Sequence, residues 1–237
     1  MTSAPATQPI GALVDSRPAK RPERIALKGR WVTLVPLDAS AHAEALYEGS
    51  NGDAKREAVW TYLFDGPYHN LDEFRANIEA KARSTDPLFF AVIDDVSRRA
   101  VGYQTFLRID PANRVIEVGN IMYTRTMQRT AGATEAQYLF AKYVFDELGN
   151  RRYEWKCNAL NAPSRRAAER FGFRFEGMFR QHMIIKGRNR DTAWFSMLDH
   201  EWPARRAAFE RWLAPDNFDA SGRQKIALST LNGEDRP

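Results

Sequence analysis

A strand, a short loop, a helix and a second strand follow one another between residues 115 and 159, and this run constrains the fold most. The apolar strand "VIEVGNIMY" comes first, helical apolar spacing extends from Thr134 to Leu148, and the strand "RYEWKCNA" follows. Gly149 closes the helix, because glycine readily adopts the left-handed conformation at a helix C-terminus. A crossover of this kind is right-handed in nearly all proteins and places its two strands in parallel.

Elements on both sides of this unit predict a mixed α/β fold on a mostly antiparallel sheet. A short strand, "GRWVTLVPL", precedes two amphipathic helices, "DASAHAEALYEGS" and "LDEFRANIEAKAR". Asp38 or Ser40 suits the N-cap of the first helix, and Gly49 its end. The strands "LFFAVID", "AVGYQTFLRI" and "RVIEVGNIMY" then form an antiparallel meander. A short helix ending at Gly172, a hairpin around "KGRN" and a final helix complete the order.

A chain of 237 residues buries one large core, so we expect one main domain with appendages. Residues 1–24 are rich in proline and predict an irregular arm, residues 25–214 the domain, and residues 215–237 a C-terminal tail. No apolar run approaches the roughly 18 residues that a membrane span needs. Because no secretory signal is recognisable and the single cysteine, Cys157, cannot form an internal disulfide, we expect a cytoplasmic protein without membrane contacts.

The net charge is +5, and seven arginines fall between residues 165 and 190. A solvated face and a groove for an anionic cofactor both explain such a cluster. Glu169, Glu176 and Asp191 interrupt it, and no nucleic-acid-binding motif accompanies it, so nucleic acid is not an expected partner. The four histidines lack metal-ligand spacing, and no metal is expected; only His182 is a candidate to face an acceptor cleft.

The loop "QRTAGAT", from Gln128 to Thr134, has the features of an anion site. Ala131, Gly132 and Ala133 have minimal side chains, so a ligand can approach the backbone closely. A helix start also leaves N–H groups unpaired and carries a partial positive charge. The loop matches neither the Walker A pattern nor the three-glycine Rossmann pattern. An ordinary helix start explains the same residues, and the loop alone does not decide.

Two further places carry polar groups that suit chemistry. Asn161 and Ser164 in "NAPS" follow the second strand, and Ser164 also suits the N-cap of the next helix. Glu117 interrupts an apolar strand, where a carboxylate is costly to bury unless it is paired or faces a cleft. Either Glu117 faces solvent at a sheet edge, or it binds a substrate amine or accepts its proton, with Asn120 and Tyr123 beside it.

Together, the crossover and the segment "NAPSRRAAERFGFRFEG" resemble the GCN5-related N-acetyltransferase (GNAT) superfamily. The pattern "ATEA…NAPS…GF…EG" is similar to the branch that contains the ribosomal-protein N-terminal acetyltransferases. The resemblance covers about residues 28–200, with its motif positions between 115 and 177. It implies the GNAT fold, whose parallel strands splay apart to hold an acetyl thioester, and transfer of the acetyl group of acetyl-CoA to a primary amine.

The resemblance implies that the loop binds the diphosphate of acetyl-CoA through backbone amides. In the superfamily pattern Gln/Arg-x-x-Gly-x-Gly/Ala, Gln128 stands first, Ala133 last and Ala131 at the middle glycine position, with Gly132 one place late. Alanine is acceptable there if the residue is right-handed helical. The backbone of Met122 and Tyr123 is expected to contact pantetheine and the acetyl carbonyl. The expected cofactor-binding residues are Met122, Tyr123, Gln128, Arg129, Thr130, Ala131, Gly132, Ala133, Thr134, Asn161 and Ser164.

The resemblance also assigns catalytic roles to Glu117 and Ser164. Glu117 would accept the amine proton directly or through water, and the Met122 amide would help to stabilise the oxyanion. Many members reprotonate the CoA thiolate with a tyrosine where this chain has Ala168, so Ser164 is the natural substitute. Whether an acid is needed stays open, because a CoA thiolate is a reasonable leaving group.

The expected function is therefore direct acetyl transfer to a primary amine, with a peptide or protein N-terminus as one acceptor. A small amine (an amino acid, polyamine or antibiotic) is the first alternative, and a non-catalytic acyl-CoA-binding module the second. An open, peptide-wide cleft would favour the protein acceptor, and a closed pocket lined by residues 60–68 a small one. The acceptor's identity and the oligomeric state, a homodimer included, stay open.

Overall fold

The computed structural model describes residues 8–233, and in it one sheet contains eight strands in the order β1-β2-β3-β4-β5-β6-β8-β7. The strands are β1 (Leu27–Lys28), β2 (Val32–Pro36), β3 (Leu88–Asp94), β4 (Ala100–Asp110), β5 (Val115–Tyr123), β6 (Arg152–Asn158), β7 (Arg174–Ile185) and β8 (Arg188–Leu198). Neighbouring strands are antiparallel except β5 and β6, which are parallel. The mixed α/β class and the parallel crossover are thus confirmed.

Helices cover both faces of the sheet. They are α1 (Ala39–Ser50), α2 (Ala54–Glu57), α3 (Leu71–Arg83), α4 (Ala131–Lys142), α5 (Ala162–Arg170), α6 (Trp202–Leu213) and α7 (Leu228–Gly233). The larger core lies under α4, α5 and α6, where Phe106 of β4 stacks on Phe140 of α4 with ring centroids 3.9 Å apart. The smaller core lies on the other face, under α1 and α3, around Phe74 and Ile78. Each face therefore has its own apolar support.

The parallel pair β5–β6 separates before either strand ends. Pairing stops at Val118 and Trp155, although β5 continues to Tyr123 and β6 to Asn158. The register between β4 and β5 shifts just there, and Asn120 has a φ of +46°. Such a β-bulge bends the strand that carries it and increases its twist. Beyond this point β5 stays paired with β4, and β6 with β8, so a gap opens inside the sheet.

Local capping chemistry sets most helix ends. Asp38 caps α1 by accepting the Ala41 N–H. A π-helical turn, Tyr143–Glu147, extends α4, and Gly149 follows it with a φ of +75°; Gly172 follows α5 with a φ of +91°, as expected for residues that end helices. The expectation that Gly49 ends α1 is wrong, because the helix continues to Ser50. A side chain at Gly49 would collide with Thr124, since its Cβ would lie 2.5 Å from the threonine methyl carbon.

Two helix starts differ from the sequence expectation. The central helix α4 begins at Ala131 rather than Thr134, and Thr130 is its N-cap. Helix α5 begins at Ala162, and its N-cap is Asn161, whose Oδ1 accepts the Ser164 N–H at 3.1 Å. Ser164 therefore does not cap this helix.

The segments at both ends of the domain contact it, the N-terminal one through Ala19 and Lys20, whose N–H groups donate to the carbonyls of Pro111 and Leu148 at 3.0 and 2.9 Å. Residues 8–24 contain no helix or strand, and the rest of the predicted irregular arm, residues 1–7, lies outside the described residues. Within the predicted C-terminal tail, α7 contributes the fully buried Leu228, and the Phe218 ring packs edge-on against Trp31 and Trp212. None of the described helices is long and apolar enough to span a membrane.

A buried carboxylate ties the first hairpin to the central helix. Glu135, in the second turn of α4, accepts the backbone N–H groups of Arg30 and Trp31 at 2.7 Å and that of Val32 at 3.0 Å. A Cβ at Gly29 would lie 2.4 Å from the Glu135 carboxyl carbon, so the turn needs glycine to approach it. These contacts hold β1 and β2 against the start of α4.

Replacing Glu135 by Gln should lower the free energy of unfolding by about 2–4 kcal/mol, because three charge-assisted hydrogen bonds weaken and an amide N–H₂ meets buried donors. Urea unfolding of Glu135→Gln measures the change. Glu79→Gln, on the exposed face of α3, is the control and should change stability by less than about 0.5 kcal/mol. Equal effects of the two substitutions would contradict the proposed anchoring role.

Candidate functional site

The gap between β5 and β6 opens into a cleft of about 1180 Å³. Its walls are the ends of both strands, the loop before α4, the first turns of α5, strand β8 and the segment 58–64 between α2 and α3. Because the gap lies inside the sheet, the cleft has one side on each face of the sheet.

Peptide groups at the end of β5 face this gap. The Thr124 N–H donates to the Val101 carbonyl at 3.0 Å, so Thr124 and Val101 form a hydrogen-bonded pair. Hydrogen-bonded and non-hydrogen-bonded pairs alternate along an antiparallel ladder. Tyr123, opposite Gly102, is therefore in a non-hydrogen-bonded pair, and its N–H and carbonyl point away from β4 toward the gap. Met122, opposite Tyr103, is in a hydrogen-bonded pair, so its N–H points toward β4. The Tyr123 carbonyl indeed accepts the side chain of Gln128, at 2.8 Å, from that side.

This pairing corrects the expectation for Met122. Its N–H points away from the gap, and its side chain is fully buried in the smaller core. The physical reason is the bulge at Asn120, which shifts the alternation by one residue. Tyr123 is therefore the residue of this pair whose backbone is exposed to a ligand in the cleft.

The loop before α4 presents unpaired backbone donors. Ala131 is helical, and the residue with a positive φ is instead Arg129, at +64°. Thr130 Oγ1 accepts the Ala133 N–H at 3.1 Å. Among residues 8–233, no hydrogen-bond acceptor is assigned to the N–H groups of Arg129, Ala131 and Gly132. With the positive end of a twelve-residue helix behind them, these groups suit an anion.

The small residues of this loop have different roles. Ala131 and Ala133 line the cleft, whereas a Cβ at Gly132 would lie 2.8 Å from the Val32 side chain. Gly132 therefore allows close packing of α4 on β2, and it offers the cleft a backbone N–H only. Arg170, from α5, adds a cation beside this end of the cleft, where its Nη1 donates to Thr134 Oγ1 at 3.1 Å.

Ser164 is held by the strand below it. The Trp155 indole N–H donates to Ser164 Oγ at 3.0 Å, and Cys157, two residues along β6, lies beside the same hydroxyl. Burial raises the pKa of the Cys157 thiol, which keeps it protonated near neutral pH. Ala168 is fully buried in the larger core and does not line the cleft.

Glu117 is buried in an ion-pair cluster and does not face bulk solvent. Only 4% of the residue is exposed, and its Oε2 lies 2.8 Å from Lys156 Nζ and 3.3 Å from Arg108 Nη1. Lys156 also pairs with Glu154 at 2.5 Å and lies 3.9 Å from the centroid of the Trp194 ring. Burial raises the pKa of Glu117 above its ordinary value, although the two cations oppose this shift.

Glu117 and Ser164 reach the cleft from opposite faces of the sheet. Glu117 is paired with Glu154 across the parallel strands, so their side chains share a face, and Lys156 shares it too. Trp155 points to the other face, into the larger core, where it contacts Ser164. The cleft therefore has one side near the α4 loop and another near the ion-pair cluster.

The side near the ion-pair cluster is covered by the segment 58–64. The Tyr62 hydroxyl lies 3.2 Å from the Leu160 carbonyl across the cleft. Lys186 Nζ, from the β7–β8 turn, donates to the carbonyls of Trp60, Asp65 and Gly66 at 2.7–2.8 Å. These contacts hold the segment over the cleft.

His182 lines the same side of the cleft. The sequence had suggested it as a candidate to face the acceptor cleft. Its Nδ1 lies 2.9 Å from Thr192 Oγ1. Burial and neighbouring cations, first of all Arg108, lower the pKa of His182, so its imidazole is neutral near pH 7. A neutral imidazole is a possible proton acceptor in this part of the cleft.

Most residues expected from the sequence lie together here. Those that line the cleft are Glu117, Tyr123, Gln128, Arg129, Thr130, Ala131, Ala133, Thr134, Asn161 and Ser164. Met122 does not line the cleft, and Gly132 contributes only its backbone N–H at the edge of the cleft. Arg170 and Arg190 also line the cleft; the sequence indicated them only as part of the arginine cluster, for which a groove for an anionic cofactor was one explanation. The sequence expectation missed Arg108, Lys156 and Thr192. A signal for Lys156 existed, because "YEWKCN" alternates apolar and charged residues. Within residues 8–233, no group of three or more acidic, histidine or cysteine side chains is arranged to hold a metal.

Comparisons with known proteins match this architecture. The family model "Acetyltransferase (GNAT) domain" matches residues 32–174. A GCN5-related N-acetyltransferase from Brucella melitensis is 52% identical, with a TM-score of 0.90, over 92% of this chain and 99% of that one. YdaF of Bacillus subtilis, named as a ribosomal N-acetyltransferase, is 25% identical over 71% of this chain and 90% of its own length.

A more distant solved structure shares the fold. The microcin C7 self-immunity acetyltransferase MccE, solved with acetyl-CoA and AMP, is 22% identical with a TM-score of 0.61 over 72% of this chain and 93% of that one. The family model alone covers more than half of the chain. The chain belongs to the GNAT family of acetyltransferases.

Proposed function

We propose that this acetyltransferase moves the acetyl group of acetyl-CoA directly to the primary amine of a small acceptor, with both substrates bound at once. The observation that carries the proposal is the cleft inside the sheet, with an anion-binding helix start on one side and a buried ion-pair cluster on the other. Two substrates that enter from opposite faces would meet in the gap, and holding them in one geometry supplies much of the rate.

The residues of the α4 side fit acetyl-CoA. The N–H groups of Arg129, Ala131 and Gly132 would bind its diphosphate, and Arg170 would add positive charge at the same end; the unpaired state of these N–H groups supports this role. Pantetheine would then lie along the gap, within reach of the Tyr123 backbone. The complex of MccE with acetyl-CoA, on the same fold, supports this assignment.

Three groups around the gap can assist the transfer. The attacking amine must lose a proton, and Glu117, with its raised pKa, is proposed to accept it directly or through water. The Tyr123 N–H faces the gap and takes the oxyanion-stabilising role that the sequence suggested for Met122. Ser164, on the opposite face, can donate a hydrogen bond to the departing thiolate, which takes its proton from solvent.

The covered acceptor side favours a small amine. The segment 58–64 is bound to β7–β8 through Lys186 and reaches Leu160 through Tyr62. A peptide-wide groove would need this segment to move. A peptide N-terminus is the second candidate, and the name of YdaF as a ribosomal N-acetyltransferase supports it.

A thiol-release assay with acetyl-CoA decides between these acceptors. The panel contains amino acids, polyamines, aminoglycosides and peptides with free N-termini. We expect CoA release with small amines and little with peptides. Release only with peptides would favour the second candidate, and acetyl-CoA binding without release from any amine would contradict enzymatic transfer.

Ala131→Glu tests the diphosphate site. A carboxylate at this position repels an anion, yet an acidic residue in a first helical turn does not disturb the helix. We expect the Kd of acetyl-CoA to rise about tenfold or more, equivalent to about 1.4 kcal/mol, as measured by calorimetry. Ala76→Glu, on exposed α3, is the control. Unchanged affinity in folded Ala131→Glu would remove the loop from the cofactor site; Gly132→Glu is unsuitable because it collides with Val32.

Glu117→Gln tests the proton acceptor. We expect kcat to fall about 10–100-fold while acetyl-CoA affinity is kept, because water can partly replace the carboxylate. In the wild type, kcat/KM should fall as the pH drops through the raised pKa of Glu117, because protonation removes the base. The Gln variant should lack this acidic limb.

Glu154→Gln is the matched control for Glu117→Gln, since Glu154 also pairs with Lys156 but does not line the cleft. It should keep most of the rate and the wild-type pH profile. If Glu117→Gln instead keeps both, Glu117 is structural. The base must then be His182, water or the acceptor itself.

Ser164→Ala should slow transfer less than Glu117→Gln does, because a CoA thiolate leaves without an acid. It should also cost about 1–3 kcal/mol of stability, since the buried Trp155 N–H loses its acceptor. Stopped-flow CoA release and urea unfolding measure the two effects. A larger kinetic loss than in Glu117→Gln would show that protonation of the thiolate limits the rate.

A further inference from the structure

A further cation, Arg190, lies on the acceptor side of the cleft and forms no direct ion pair with any described residue. Arg190 of β8 is 8% exposed and lines the cleft. Its Nε donates to Thr192 Oγ1 at 3.2 Å, and its guanidinium carbon lies 5.4 Å from the centroid of the Phe64 ring. In the part of the chain that the structure describes, Arg190 forms no ion pair, and its Nη1 and Nη2 atoms have no hydrogen-bond acceptor.

Arg190 lies on the same face of the sheet as the ion-pair cluster. Lys156 is paired with Trp194 across β6 and β8, and Arg190 lies four residues before Trp194 on the same strand. Side chains an even number of residues apart share a face of a strand. The guanidinium therefore belongs to the side that we assign to the acceptor, away from the helix start proposed for the diphosphate.

The carboxylates on this face already have cations. Their ion pairs join Glu117 to Lys156 and Arg108, Glu154 to Lys156 and Arg152, and Glu176 to Arg152. Arg190 is thus an extra positive charge, and it stays charged at any physiological pH. Burying a cation without a direct ion pair is costly, and the attraction of Glu117, whose carboxylate is already paired with Lys156 and Arg108, offsets only part of that cost. An anion from outside the chain would supply the missing pair.

We propose that Arg190 binds an anionic group, a carboxylate or a phosphate, on the acceptor amine. This rests on the proposed function, because it names the substrate class of the same cleft. Both groups present two oxygens that match the Nη1 and Nη2 donors of a guanidinium. Phe64 and Thr192 hold the guanidinium plane, so the anion is bound at a set position and the amine at the other end reaches Glu117.

The test uses pairs of amines that differ only in the anionic group. Amino acids are paired with their amides, and O-phosphoethanolamine with ethanolamine. Two readouts are taken: CoA release from acetyl-CoA, and the increase in Tm that each amine adds in the presence of CoA, where no turnover occurs. We expect an acidic member to exceed its neutral partner about 10–100-fold in kcat/KM and to add the larger Tm shift. The pair that shows the effect identifies carboxylate or phosphate.

Arg190→Gln should reduce kcat/KM and the Tm shift of the acidic amine to the values of its neutral partner. The Tm shift from CoA alone should stay unchanged. Arg190→Lys, which keeps the charge and loses the planar fork, should restore part of the preference. Arg188→Gln, an exposed position on the same strand, should keep all of it. Neutral amines equal to their acidic partners, or a preference that survives Arg190→Gln, would overturn the inference.

Failure of the inference and failure of the proposed function differ in this experiment. Acetylation of neutral and acidic amines at equal rates would leave the transfer reaction standing and remove Arg190 from recognition. If acidic amines bind in a manner that depends on Arg190 but no amine releases CoA, the role of Arg190 stands and the transfer reaction fails.

Discussion

The separation of β5 from β6 after Val118 and Trp155 is the constraint on which the rest of the site depends. It follows from competition between strand pairs. After the bulge at Asn120, β5 follows β4, while β6 stays in register with β8. The two strands therefore diverge, and β5 and β6 no longer form backbone hydrogen bonds with each other. The result is a gap with unpaired peptide groups in the middle of a sheet, supported by an apolar core on each face. A ligand with its own amide groups can pair with those edges.

Charge is distributed unequally between the two faces of this gap. On the α4 side, backbone N–H donors at the positive end of the helix suit a strongly anionic ligand, and the partly buried Arg170 adds one side-chain charge. On the other side, Glu117 and Lys156 are both buried and paired. That pairing lets a carboxylate lie in the cleft without the full cost of desolvation, while burial still keeps its pKa above the ordinary value.

Local chemistry explains what the sequence could predict. The crossover was predictable because apolar periodicity and Gly149 are properties of a single segment, and the small residues before α4 marked an anion site. The orientation of Met122 could not be predicted, because it depends on a register shift between two strands. Gly132 was misjudged for a similar reason: its missing side chain serves packing against Val32, a contact between residues far apart in sequence. Arg190 reaches the cleft only through the β7–β8 hairpin's position beside β6.

The central claim is that the two substrates occupy opposite sides of the gap at the same time. Initial rates of CoA release, with acetyl-CoA and an accepted amine both varied, test it most directly. Direct transfer predicts double-reciprocal lines that intersect, because both substrates must be bound before chemistry. Parallel lines, the pattern of ping-pong kinetics through a covalent acetyl-enzyme, would contradict the account.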